Sequence, residues 1–132
     1  MKRALVVDDN DVNRILATRM LGKAGWSVAE ADCGDAALRY LADAEVELIL
    51  LDVSMPVLDG LQALGRIRQA DPSAIVIMLT SLTNRQTIDE CFRLGAVAYL
   101  RKDLPPAELL AELKKIIGES FEENPPASTP PP

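Results

Sequence analysis

Leu48-Ile49-Leu50-Leu51-Asp52 is an unbroken aliphatic run ended by a carboxylate. A strand with one wet face alternates apolar and polar residues, whereas a continuous run is buried on both faces. Ile75-Val76-Ile77-Met78-Leu79 is a second such run, followed by Thr80. Strands of this kind belong to parallel sheets with helices above and below. Working outward, Ala4 to Val7 reads as a first strand, Val28 to Ala31 as a weaker second and Val97 to Leu100 as a short fifth.

The segments between these runs carry helical spacing. Ile15, Leu16, Met20 and Leu21 mark a helix that Gly22 and Gly25 help to end. Ala36, Ala37, Leu38 and Leu41 mark the next. Asp59-Gly60 opens a third, with Leu61, Leu64 and Ile67 on one face. A fourth runs from about Arg85 to Leu94 and stops at Gly95. The fifth starts near Pro105, a residue favoured in a first helical turn, and carries Leu109, Leu110, Leu113, Ile116 and Ile117 as a stripe. Strands alternating with helices in this way predict an α/β fold with an open, doubly wound sheet.

The chain has 132 residues, of which 48% are hydrophobic, enough for one domain with one hydrophobic core. Its boundaries are read as 1–120, followed by a proline-rich tail, 121–132, that is expected to be disordered because Pro125-Pro126 and Pro130-Pro131-Pro132 break regular structure. A net charge of -6 with scattered Lys and Arg argues against direct nucleic-acid binding. Cys33 and Cys91 have no metal-like spacing and read as reduced structural thiols. The first residues turn acidic too soon for a signal peptide, and no apolar run is long enough to span a bilayer. These features predict a cytoplasmic protein without membrane insertion.

The polar residues at the strand ends carry the chemistry. Asp8 and Asp9 follow the first strand, Asp52 the third, Thr80 the fourth, and Lys102 lies just past the fifth. In an open parallel sheet these positions share the carboxyl edge, where ligands bind at the reversal of strand order. Three carboxylates brought together repel one another, and a hard cation with oxygen ligands relieves the repulsion. Mg²⁺ fits, with Mn²⁺ as an alternative. Thr80 adds a hydroxyl donor and Lys102 a positive charge, a set suited to phosphoryl transfer. An aspartate is itself a competent nucleophile and forms an acyl phosphate.

These residues resemble the receiver domains of bacterial two-component response regulators, over residues 2 to about 118. Val6-Val7-Asp8-Asp9-Asn10 is similar to the acidic opening of that family, and Leu51-Asp52-Val53-Ser54-Met55-Pro56-Val57-Leu58-Asp59-Gly60 to its phosphorylation loop. Leu79-Thr80-Ser81 and Tyr99-Leu100-Arg101-Lys102 match the remaining motifs. The resemblance implies a flavodoxin-like, CheY-like sheet of order 2-1-3-4-5. It implies that Asp52 accepts a phosphoryl group from a phosphohistidine on a sensor histidine kinase or histidine phosphotransfer protein. Asp9, Asp52 and the backbone carbonyl of Ser54 would hold Mg²⁺ directly, and Asp8 through water. Thr80 and Lys102 would contact phosphate oxygens. Tyr99 would turn inward as Thr80 moves, switching a surface from Asn84 to Ile117 that binds a downstream protein. On this reading the chain is a phosphoacceptor that catalyses its own modification, not an enzyme acting on a separate substrate.

Ser54 and Leu82 occupy the positions that tune dephosphorylation in the family. Neither offers a charge or an amide to hold attacking water, so a long-lived phosphorylated state is expected. Asp103 stands where the family places proline after the lysine. The resemblance leaves open a trans bond with a shifted loop or a strained cis bond there, and places an added acid near Lys102. The chain reads first as a stand-alone receiver. The alternatives are a receiver from a larger regulator or hybrid histidine kinase, a pseudo-receiver without phosphate chemistry, and a small metal-dependent phosphatase.

Overall fold

The computed structural model describes residues 2–52, 60–80 and 85–117. The tail expected over 121–132 lies outside them. In chain order the elements are β1 (Arg3–Val7), α1 (Asp11–Lys23), β2 (Ser27–Ala31), α2 (Gly34–Asp43) and β3 (Leu48–Leu51). They continue with α3 (Gly60–Ala70), β4 (Ile75–Thr80), α4 (Arg85–Arg93), β5 (Ala98–Arg101) and α5 (Pro106–Ile117). The strands form one parallel sheet of order β2-β1-β3-β4-β5. The expected doubly wound architecture is what the chain adopts.

The unbroken runs are explained by the two cores they serve. Side chains alternate across a strand, so Leu5, Val7, Ile49, Leu51, Val76 and Met78 pack on one face, into the core shared with α2, α3 and α4. Ala4, Val6, Leu48, Leu50, Ile77 and Leu79 pack on the other face with α1 and α5. Leu64 and Ile67 of α3 and Leu113 of α5 are fully buried against these faces.

Two helices end alike. Gly25 and Gly95 have φ of +96° and +111°, the left-handed region that glycine enters without a Cβ clash. After α1, the Gly25 N–H donates to the Gly22 carbonyl and the Trp26 N–H to the Leu21 carbonyl. After α4, the Gly95 N–H donates to Phe92 and the Ala96 N–H to Cys91. This paired pattern satisfies the last carbonyls and turns each chain into the next strand.

Helix α1 differs from its sequence reading. Ile15 and Leu16 are 42% and 52% exposed, as is Val12 at 65%. The buried side chains are Ala17, Met20 and Leu21. Both triplets have the i, i+3, i+4 spacing of a helix face, so periodicity alone marks two faces, and contact with the sheet selects the second. β5 also begins one residue later than expected, leaving Val97 half exposed before it.

Candidate phosphoacceptor and metal site

The register of the two central strands builds the site. Val7 of β1 pairs with Leu51 of β3, so Asp8 and Asp52 leave neighbouring strands side by side. The Asp52 N–H donates to the Val7 carbonyl at 3.0 Å, and the Asp8 N–H to the Ala31 carbonyl at 3.1 Å. Between β1 and β3 the strand order reverses, which opens a crevice at the carboxyl edge. Asp8 and Asp52 are 2% and 3% exposed and are the buried charged residues among those described. Asp9, next along the loop, is exposed.

Carboxylate oxygens of Asp8, Asp9 and Asp52 all lie within 4.8 Å of one another. Lys102, one residue past β5, reaches into this cluster. Its Nζ is 2.9 Å from Asp8 Oδ2 and 3.1 Å from Asp52 Oδ2. Burial works to lower the pKa of this ammonium, but the hydrogen bond to Asp8 and the charges of Asp52 and Asp8 outweigh it, and the pKa is raised. Lys102 is thus held as a cation and partly neutralises the cluster. The remaining excess of negative charge and the all-oxygen donor set fit a hard divalent cation such as Mg²⁺.

The loop that carries Asp8 and Asp9 is anchored on both sides. The Asn10 N–H donates to Asp8 Oδ1 at 2.9 Å, and Asn10 Oδ1 accepts from the Asn13 N–H, capping α1. Arg14, a residue the sequence reading did not single out, donates to the Asp8 carbonyl. Its only signal in the sequence is an acidic neighbour three residues back, Asp11, which is too common on helices to mark a function.

The fold thus brings Asp8, Asp9, Asp52 and Lys102 together. Thr80 is placed by its backbone at the end of β4, paired with Arg101. Its side chain, together with Ser54 and Leu82, lies outside the described residues. Tyr99 is half-buried on β5 and packs against the core on the α2, α3 and α4 side. The Lys102–Asp103 peptide is trans, since no described peptide bond is cis. Asp103 does not join the lysine as expected: its carboxylate pairs with Arg101 Nη2 at 2.5 Å. The chain leaves β5 at Arg101 and turns there, the Leu104 N–H donating to the Arg101 carbonyl, and within this turn Asp103 meets Arg101 while Lys102 reaches Asp8 and Asp52.

Beside Lys102, α1 and α5 enclose a small, mainly apolar cavity of about 110 Å³, lined in part by Leu16, Met20, Leu104 and Pro106. Among the described residues no helix is long and apolar enough to cross a membrane.

Comparison with known proteins agrees with this geometry. The chain is 36% identical to a protein-glutamate methylesterase/protein-glutamine glutaminase of Caulobacter vibrioides, over 98% of this chain and 41% of that protein. It therefore spans less than half the length of that relative. It is 28% identical to the chemotaxis protein CheY of Thermotoga maritima, over 87% of this chain and 97% of that one. Among solved structures it resembles the Thermotoga maritima response regulator TrrA in complex with Mg²⁺ and BeF, with a TM-score of 0.78 and 32% identity over 88% of this chain and 99% of that chain. The Vibrio cholerae chemotaxis protein CheY4 gives a TM-score of 0.82 and 30% identity over 88% and 98% of the two chains. Residues 4–114 match the response regulator receiver domain, and the chain belongs to that family.

Proposed function

We propose that Asp52 is the phosphoacceptor of a two-component phosphorelay, with Asp8 and Asp9 completing a Mg²⁺ site and Lys102 serving the transferred group. The observation that carries this reading is the convergence of three carboxylates, two of them buried, around one lysine ammonium. An Asp52 carboxylate oxygen attacks the phosphorus of a phosphohistidine. The P–O bond forms as the P–N bond breaks, and the electron pair returns to the imidazole nitrogen, which takes up a proton. Bound Mg²⁺ supplies charge neutralisation of the phosphoryl oxygens.

Lys102 starts between Asp8 and Asp52 and is placed to follow the developing charge on the phosphoryl oxygens. Thr80 is assigned to contact the same oxygens and, with Tyr99, to switch the surface of α4, β5 and α5. The phosphoryl group adds about -1.5 to -2 charge and three acceptors, enough to shift the population between two packings. The exposed side chains of Val12, Ile15 and Leu16, of which Leu16 also lines the apolar cavity beside Lys102, are assigned to docking the phosphodonor, a sensor histidine kinase or histidine phosphotransfer protein. Removing these exposed apolar side chains from water on docking favours association.

Intact mass after incubation with acetyl phosphate tests the reading. One phosphoryl adduct is expected that requires Mg²⁺ and is absent from Asp52→Asn. Failure to take either acetyl phosphate or fluoroberyllate in the presence of Mg²⁺ would overturn it in favour of a pseudo-receiver.

A further inference from the structure

Arg14 lies in the first turns of α1, outside every motif of the site. Its side chain is only 15% exposed, and its guanidinium meets three separate parts of the fold. Nη1 donates to the backbone carbonyl of Asp8 at 2.9 Å. Nε donates to Glu30 Oε1 on β2 at 3.0 Å. Nη2 donates to Asp11 Oδ1, on the first turn of its own helix, at 2.6 Å. The guanidinium is a planar, rigid fork, so three anchored donors fix its plane.

The Asp8 carbonyl belongs to the peptide whose N–H is that of Asp9. Rotation of this peptide plane moves the Asp9 backbone and the starting point of its carboxylate. Asp8 and Asp52 are held by burial and by Lys102. Asp9 is exposed, so packing restrains it far less. Glu30 sits on the strand beside β1, with Val6 as its register partner, and gives the guanidinium a support independent of the loop.

We propose that Arg14 is a positioning residue for the divalent cation: through the Asp8 carbonyl it holds the Asp8–Asp9 peptide so that the Asp9 carboxylate meets those of Asp8 and Asp52. The proposal rests on the reading of these carboxylates as a cation site. Charge makes the role separable. A guanidinium near a dication repels it, so an Arg14 acting only through its charge would weaken Mg²⁺ binding, and its removal would tighten it. An Arg14 that positions a ligand has the opposite effect.

The experiment is calorimetric titration of the metal-free protein with Mg²⁺ for wild type, Arg14→Met and Arg14→Lys, with amide exchange at Asp9 as a second readout. For Arg14→Met, Mg²⁺ affinity is expected to fall by about 10-fold, the lower end of what residues orienting metal ligands contribute. Asp9 amide exchange is expected to accelerate. Arg14→Lys keeps the charge and a pairing with Glu30 but loses the fork, so it too binds more weakly. It serves as the folded comparison if the Met variant is unstable. Unchanged or tighter binding in both variants, whatever their thermal stability, overturns the proposal while leaving the cation site intact. Absence of Mg²⁺ binding by wild type overturns both.

Discussion

The two edges of the sheet carry the same kinds of residue and treat them differently. At the amino edge, Arg3, Glu45, Glu47 and Asp71 line an open cavity of about 660 Å³. Glu45 and Glu47 are exposed there, and water screens their charges. At the carboxyl edge, Asp8 and Asp52 sit side by side on adjacent strands, almost without water, and share one ammonium. Charges interact several-fold more strongly when water is removed from around them. The carboxyl edge groups three carboxylates and dries two of them, Asp8 and Asp52, whereas the amino edge leaves Glu45 and Glu47 in water.

The largest effect that could break this contrast concerns metal binding. Asp9→Asn is expected to abolish detectable Mg²⁺ binding by calorimetry, and Glu47→Gln to leave it unchanged. Equal losses at the two edges would show that overall charge, and not grouping, attracts the cation.

Next in size is a backbone effect at the amino edge, where α4 turns into β5. A Cβ on Gly95 would lie 2.9 Å from Arg68 Nε and 3.0 Å from its Cγ, on a backbone of positive φ. Gly95→Ala is expected to cost about 1–3 kcal/mol in urea denaturation. Gly65→Ala, in the interior of α3 with open space around it, should stabilise by about 0.5–1 kcal/mol. The amino edge thus depends on backbone geometry, and Mg²⁺ affinity at the other edge should survive both changes.

Without metal, the contrast reverses sign. Three carboxylates face one ammonium at the carboxyl edge, so Asp9→Asn is expected to raise stability in EDTA by about 1 kcal/mol, the Coulomb energy of one close pair in water. Glu47→Gln should remain within about 0.5 kcal/mol of wild type, as ordinary surface changes do. A destabilised Asp9→Asn would mean that Lys102 already balances the cluster.

The smallest test compares the thiols. Cys33, half-buried at the start of α2, is expected to alkylate readily at pH 8. Burial, and then the charge of Glu90, pushes the Cys91 thiol up, and it should stay unmodified until the protein unfolds. Early modification of Cys91 would show that the core beneath α4 opens on its own.

The sequence by itself determined the sheet, its double winding and the acidic residues at its carboxyl edge. Runs such as Leu48 to Leu51 have few alternatives to a strand buried on both faces, and a residue directly after such a strand has one edge on which to fall. Asp8, Asp9, Asp52 and Lys102 were legible for that reason. Tertiary structure alone decided which of two apolar faces of α1 was covered, since Val12, Ile15 and Leu16 have the same spacing as Ala17, Met20 and Leu21. It also decided that Asp103 pairs with Arg101 instead of crowding Lys102, and that Arg14 joins α1 to β2 through Glu30 and to the loop after β1 through the Asp8 carbonyl. Local patterns record what a residue prefers to bury or expose, but a contact between residues distant in sequence exists only once packing has set the elements against one another.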